Sequence, residues 1–230
     1  MDITNDIKKH QRINDILLGP LERPVLLWLA RRMPAIVTPD VCTIIGVMGA
    51  LAVAGSYALS NYDRTFLWLA SFGFIINWFG DSLDGTLARQ RRIERPVFGF
   101  FVDHTTDAFS GTVIMIGLGI TPYVSFNVAC LALIAYLLLC VLVFVRTSVA
   151  GVFKISYSKL GPTEIRVVAI LLNTIMYFAG IRTYTLNFGR IGSMPFTPYD
   201  IMIAMIALLL LYFFIVTALQ ETMRLAKENK

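Results

Sequence analysis

The chain has 230 residues, 57% of them hydrophobic and 15% charged, with a formal net charge of +5 and a mean hydropathy of +0.69. Soluble domains carry about 25% charged and about 45–50% apolar residues, so this composition excludes a disordered chain, a coiled coil and an ordinary soluble enzyme. It predicts an all-α integral membrane protein, and at ~20 residues per span plus loops the length allows about five to seven helices.

The first fifteen residues are polar and predict no cleavable signal peptide. Residues 17–33 form an amphipathic segment, with Leu21, Val25, Leu26, Trp28 and Leu29 set against Glu22, Arg23, Arg31 and Arg32. It is too short and too charged to span, and it suits a helix lying at the membrane interface. Pro39 punctuates the chain, and residues 41–62 form the first expected span. The second runs over about 65–89 and the third over about 96–119. No charge occurs from Ala108 to Val145, a stretch too long for one helix. Gly117, Gly119 and Pro122 break it, so a fourth span covers 123–149. The fifth covers 162–180. Residues 181–200, with two Gly and two Pro, read as a loop. A sixth span follows over 201–220, then a polar tail.

With six spans, both termini share one side with the loops near Arg92 and Lys159. That side holds 17 of the 20 Lys and Arg, and the other holds Arg64, Arg182 and Arg190. The positive-inside rule then puts both termini in the cytoplasm of a cell membrane, by this reading a prokaryotic one. The basic residues are accounted for by topology and anionic headgroups, so nucleic acid is not an expected partner. Cys42, Cys130 and Cys140 are scattered through apolar sequence without metal-ligand spacing. The expected organisation is one membrane domain over 1–230. It comprises an interfacial N-terminal segment (1–38), a six-helix bundle (39–220) and a cytoplasmic tail (221–230).

Four aspartates stand where charge is costly. A carboxylate inside a span costs at least ~2.5–3.5 kcal/mol, which makes it a functional candidate by default. Asp81 and Asp84 fall near the cytoplasmic end of the second span, and Asp103 and Asp107 near that of the third. Spacings of three and four residues put each pair on one helical face. Asp81 and Asp103 are each 11 residues from Arg92, so an antiparallel pair of helices brings them to similar depth. Four like charges at close range do not all stay ionised without a partner. Hard oxygen ligands suit Mg²⁺, Mn²⁺ or Ca²⁺, and four carboxylates can support two metals in phosphoryl transfer. Salt bridges to Arg89, Arg91 or Arg95 and a proton- or ion-coupled transport site are the alternatives.

The aspartates sit in a longer pattern. It reads Asp81-Ser-Leu-Asp84-Gly85-Thr-Leu-Ala88-Arg89, nine intervening residues, then Gly99-Phe-Phe-Val-Asp103-His-Thr-Thr-Asp107. This resembles the signature of the CDP-alcohol phosphotransferases, DxxDGxxAR followed by GxxxDxxxD, with all eight defining positions filled in order. The resemblance implies an enzyme of phospholipid biosynthesis. Such enzymes transfer a phosphatidyl or phosphoalcohol group from a CDP-linked donor, such as CDP-diacylglycerol, to an alcohol hydroxyl, releasing CMP. It implies two divalent ions, Mg²⁺ or Mn²⁺, on Asp81, Asp84 and Asp103, with Asp107 as the base that also touches a metal. It implies a homodimer as well. Gly85, Ala88, Gly99 and Arg89 would bind the CDP donor, joined by Thr43. Pro39 and Thr43 match the family's start of the first span, and Asp40 stands in place of its usual Asn.

Two cues bear on the acceptor. Arg146, Lys154, Lys159 and Arg166 cluster around the loop between spans four and five, where relatives with phosphorylated acceptors keep a basic pocket. From these, Arg146, Lys159 and Arg166 are the expected acceptor-binding residues. Asp103-His104 instead resembles the choline and ethanolamine phosphotransferases, which use a CDP-amino-alcohol and diacylglycerol.

Overall fold

The computed structural model describes residues 11–13, 17–150, 152–154, 161–187 and 193–228. Lys159, an expected acceptor ligand, lies outside the described residues. Seven helices are seen among them: α1 (Gly19–Arg32), α2 (Pro39–Leu59), α3 (Phe66–Arg91), α4 (Pro96–Ile120), α5 (Phe126–Ala150), α6 (Pro162–Ala179) and α7 (Pro198–Glu228). Two short strand pairs accompany them. β1 (Gln11–Ile13) runs parallel to β2 (Val152–Lys154), and β3 (Tyr184–Asn187) forms a hairpin with β4 (Ser193–Phe196).

The protein is an all-α, multi-pass membrane protein. Five helices, α2, α3, α5, α6 and α7, are long and apolar enough to cross a bilayer. The 25-residue α4 has comparable length, but Asp103, His104 and Asp107 lower its hydropathy. Expected and observed boundaries agree within three residues through α6. Two stretches differ. The 181–200 loop contains the β3–β4 hairpin, in which Tyr184 pairs with Phe196 and their rings stand 5.8 Å apart. The polar tail continues as helix, so α7 has 31 residues rather than ending near 220.

Local chemistry explains the helix ends. Thr38 caps α2, its Oγ1 accepting from the Val41 N–H at 3.3 Å, with Pro39 and Asp40 in the first turn. α3 closes on Arg92 in the left-handed region at φ 56°, where the Ile93 N–H reaches the Ala88 carbonyl at 3.1 Å. Pro96 then opens α4 after only a few residues. Asp200 ties two helix starts together: its carboxylate accepts from the Ser125 N–H at 2.6 Å and the Thr197 N–H at 2.8 Å. This satisfies its charge at 4% exposure.

α2 is the hub. α3 and α4 both pack along it, α6 and α1 pack on α3, and α5 packs on α4 and α7. The sequence suggests α3 and α4 as direct neighbours, but each leans chiefly on α2. Two helices bearing facing carboxylates cannot close on one another without stripping those charges of water.

The α2–α3 contact is backbone against backbone. A Cβ added at Gly80 would stand 2.2 Å from the Gly46 nitrogen, and one at Gly49 would stand 2.5 Å from the Asn77 nitrogen. Small residues give this approach because lipid offers helices no hydrophobic drive to associate, leaving van der Waals packing to do so. One apolar core joins Val53, Tyr57, Phe74, Leu118, Met176 and Ile203. A second, of Leu26, Ala30, Cys42, Leu83 and Leu87, seats α1 on α2 and α3.

Polar bonds fasten α1 as well. Glu22 Oε1 accepts from Trp78 Nε1 at 2.8 Å and from the Thr163 hydroxyl at 2.9 Å. Buried Glu164 accepts from the Leu18 N–H at 2.7 Å and the Gly161 N–H at 2.9 Å. Arg91 donates to the carbonyls of Met33, Pro34 and Val37, holding the α1–α2 connection.

Gly80→Ala is expected to destabilise the purified protein by at least about 3 kcal/mol, since the obstruction is backbone. That lowers the thermal midpoint by roughly 6–12 °C for a chain of this size. Gly55→Ala is the control: its Cβ meets nothing within 4 Å, and its midpoint should hold or rise. Equal midpoints for the two variants would contradict the close-approach account.

Candidate active site

α3 and α4 deliver the four aspartates, and the structure groups three of them. Asp81, Asp103 and Asp107, all half-buried, each place a carboxylate oxygen within 4.8 Å of the others. Asp84 is held separately: the Thr43 hydroxyl donates to its Oδ2 at 2.7 Å, and the Gly85 N–H donates to its Oδ1 at 2.5 Å. The four carboxylates therefore divide into a cluster of three and one braced from α2. A small polar cavity borders the cluster, lined by Thr43, Asn77, Asp81, Thr106, Asp107 and Ser110 among others. The three oxygens could hold a divalent ion, since hard carboxylate donors suit Mg²⁺ or Mn²⁺ rather than softer metals.

The arginines nearest in sequence are engaged elsewhere. Arg91 binds backbone carbonyls, Arg95 pairs with Asp40, and Arg89 Nη2 donates to the Thr86 hydroxyl at 3.2 Å. Asp40, which replaces the family's Asn, is thus a tie between the start of α2 and the α3–α4 connection. The cation that reaches the cluster is Arg166 of α6, whose Nη2 donates to Asp81 Oδ2 at 2.6 Å. Arg146 is directed to Glu221 of α7 at 3.3 Å. Arg146 and Arg166, expected in one pocket, have different partners here.

The motif glycines differ sharply from the packing glycines. A Cβ at Gly99 would meet nothing within 4 Å, and the three nearest atoms to one at Gly85 all belong to the Arg89 guanidinium, the first at 3.3 Å. Neither glycine is pressed against a neighbouring helix backbone. Ala88 is half-buried and Arg89 exposed on the same stretch of α3, so Gly99 opens onto space while Arg89 lies over Gly85.

His104 stacks on Phe100 with centroids 4.2 Å apart and lies near Phe144 at 5.3 Å. Its Nδ1 stands 3.4 Å from Asp103 Oδ2. Sequence reasoning did not single out Asn77 or Tyr136. Asn77, 4% exposed, donates to the Gly46 carbonyl at 2.9 Å and accepts from Arg166 Nε at 2.8 Å. The Tyr136 hydroxyl donates to the Asp107 carbonyl at 3.3 Å, its ring lying over Gly111. An uncharged amide one turn before Asp81 was the available signal for Asn77. Nothing in the local sequence marks Tyr136.

Comparison with known proteins points to one family. The family model for CDP-alcohol phosphatidyltransferase matches residues 36–226. The chain is 36% identical over 84 residues to phosphatidylinositol phosphate synthase of Cutibacterium acnes, covering 36% of this chain and 38% of that protein. It is 33% identical over 107 residues to archaetidylinositol phosphate synthase of Methanothermobacter thermautotrophicus, covering 46% and 52%. It is 25% identical over 189 residues to cholinephosphotransferase 1 of Gallus gallus, covering 76% and 54%. The matched regions thus span about four-tenths to just over half of these relatives' own length. With the full spaced motif present and the family model spanning α2 to α7, the chain belongs to the CDP-alcohol phosphatidyltransferase family.

Proposed function

We propose that the protein transfers a phosphatidyl or phosphoalcohol group from a CDP-linked donor to an acceptor alcohol, releasing CMP. The observation that carries this reading is the triad of carboxylate oxygens of Asp81, Asp103 and Asp107 within 4.8 Å, with open space at Gly99 one turn before Asp103. Asp107 takes the proton of the acceptor hydroxyl. The acceptor oxygen forms a bond to the donor phosphorus that carries the lipid or alcohol, and the bond from that phosphorus to the CMP phosphate oxygen breaks.

Asp81, Asp84 and Asp103, joined by Asp107, would hold two divalent ions, Mg²⁺ or Mn²⁺, whose charge would neutralise the donor pyrophosphate. Thr43 keeps Asp84 oriented through its 2.7 Å hydrogen bond and meets the nucleotide from α2. Arg89 binds donor phosphate, and Gly85, Ala88 and Gly99 admit the flat nucleoside against the helix backbones.

In this reading the domain spans 1–230 and works as a homodimer. α4 is the sixth span: 25 residues reach about 37 Å, enough to cross. Both termini face the cytoplasm of a prokaryotic membrane, consistent with the distribution of basic residues. α1 lies in the interface with Leu21, Val25 and Trp28 exposed toward lipid.

For the acceptor we favour a phosphorylated polar alcohol. Two of the relatives are named phosphatidylinositol phosphate synthase and archaetidylinositol phosphate synthase, and Arg166 reaches the cluster with its Nη1 buried and lacking a hydrogen-bond partner among the described residues. Arg146 and Lys159 complete the acceptor site in this proposal. The second reading, a CDP-amino-alcohol donor with diacylglycerol as acceptor, draws on the cholinephosphotransferase match and on His104 beside Asp103.

Three outcomes are expected. Asp81→Asn, Asp84→Asn, Asp103→Asn and Asp107→Asn should each abolish nearly all CMP release from CDP-diacylglycerol, as should chelation. The first three should weaken Mn²⁺ binding more than Asp107→Asn does. Normal turnover by Asp107→Asn would rule it out as the base.

Gly85→Leu and Gly99→Leu should block CDP-donor binding, measured by titration, while the thermal midpoint stays near that of the parent. A Cβ at Gly99 meets nothing within 4 Å, and the atoms nearest one at Gly85 are the far end of the Arg89 side chain, which can give way. Unchanged donor affinity in both would remove these glycines from the donor site.

With divalent metal saturating, Arg166→Ala should raise the acceptor Michaelis constant at least about tenfold, equivalent to ~1.4 kcal/mol, with the donor constant little changed. Equal changes in both constants, or robust turnover of diacylglycerol with a CDP-amino-alcohol, would favour the second reading.

A further inference from the structure

We propose that Asn77 is a positioning residue for the aspartate cluster: it fixes Arg166 and, through Arg166, the orientation of the Asp81 carboxylate. The proposal rests on the reading of Asp81 and Asp103 as metal ligands. Asn77 lies one turn before Asp81 on α3 and is 4% exposed, yet both ends of its amide are used. Nδ2 donates to the Gly46 carbonyl at 2.9 Å, and Oδ1 accepts from Arg166 Nε at 2.8 Å. A carbonyl can only accept and a guanidinium can only donate, so one amide orientation satisfies both partners. Arg166 passes the constraint on, donating from Nη2 to Asp81 Oδ2 at 2.6 Å.

The relay starts from a rigid point. Gly46 and Gly49 are where α2 comes against the α3 backbone, at Gly80 and Asn77 itself. The Gly46 carbonyl therefore has little freedom, and neither does the amide bound to it. Arg166 is a long side chain from a third helix, and a guanidinium held only by a carboxylate can turn. With Nε tied to Asn77, it presents Nη2 to one Asp81 oxygen. With Nε released, a buried N–H loses its partner. The guanidinium can then rotate to engage both oxygens in a fork, in direct competition with a cation. An asparagine is required at this position because a carboxylate could not donate to Gly46 and an apolar side chain could bind neither partner. Groups of this kind behind a metal ligand are worth ~10–100-fold in metal affinity.

The test uses the purified full-length protein in lipid nanodiscs and Mn²⁺ alone, with binding read by electron paramagnetic resonance. Asn77→Leu keeps the branched shape and loses both bonds, and it should raise the Mn²⁺ Kd by ~10–100-fold. Asn77→Ser, too short to reach Arg166, should do the same and serves if the leucine variant does not fold. Each is also made in an Arg166→Ala background, where replacing Asn77 should change the Kd less than about twofold, because the residue through which it acts is gone.

Parental Mn²⁺ affinity in a folded Asn77 variant overturns the proposal and leaves the metal reading intact. So does an equal loss in both backgrounds, which indicates a merely structural role. If the parent protein binds no Mn²⁺, or binding survives Asp81→Asn combined with Asp103→Asn, the metal reading and this proposal fall together.

Discussion

The close approach of α2 and α3 is the constraint on which the site depends. At Gly46, Gly49 and Gly80 each helix comes against the other's backbone, and at Gly73 the Val53 side chain of α2 seats on α3. Everything polar nearby takes its place from that contact. Thr43 sits one turn from Gly46 and reaches Asp84, while Asn77 and Asp81 flank Gly80. Were the helices separated by ordinary side chains, at 8–10 Å between axes in the usual case, Thr43 and Gly46 would lie too far off to brace residues of α3. A cluster of carboxylates in a membrane protein needs such bracing, since solvent is too scarce to hold them in place.

The chain distributes its charges in two ways. Those at the rim of the bundle fasten elements together: Arg91 on three carbonyls, Asp40 on Arg95, Glu164 on two N–H groups and Asp200 on two helix starts. Each has a fixed partner, which burial makes obligatory for Glu164 and Asp200. The cluster of Asp81, Asp103 and Asp107 is different. Among the described residues Arg166 binds one of its three carboxylates, that of Asp81, and His104 stands beside Asp103, fewer fixed partners than three acids can take. The imbalance is what separates a chemical site from a structural one, although both are built from the same residue types.

Much of this was legible in the chain. Uncharged stretches of about twenty residues gave the helices, Pro39, Pro96 and Pro162 their starts, and the spaced aspartates the site, because these features act through local geometry. What stayed hidden required tertiary distances. Asp84 and Asp81 are equivalent by periodicity, and only the packing of α2 shows that one faces Thr43 and the other Arg166. Gly80 and Gly99 look alike as letters, yet one is pressed against backbone and the other opens onto space. The β3–β4 hairpin escaped notice because its strands are short and its two-Gly, two-Pro stretch reads equally well as irregular. The helical continuation of α7 past residue 220 follows from Glu221–Arg224 pairing one turn apart, which a polar composition conceals.

The length of α7 has a consequence for how the protein meets bilayers of different thickness. Its 31 residues extend about 46 Å, against a hydrocarbon core of about 30 Å. The surplus emerges at the end where Glu221 bridges Arg146 and Arg224. Hydrophobic mismatch is relieved by tilting a helix or by local thickening and thinning of the bilayer. Asp200 holds the start of α7 to that of α5, and Glu221 holds its far end to Arg146, so the two helices tilt as one body. α2 and α3, locked by their glycines, form the other body, and the depth of Asp81 goes with it.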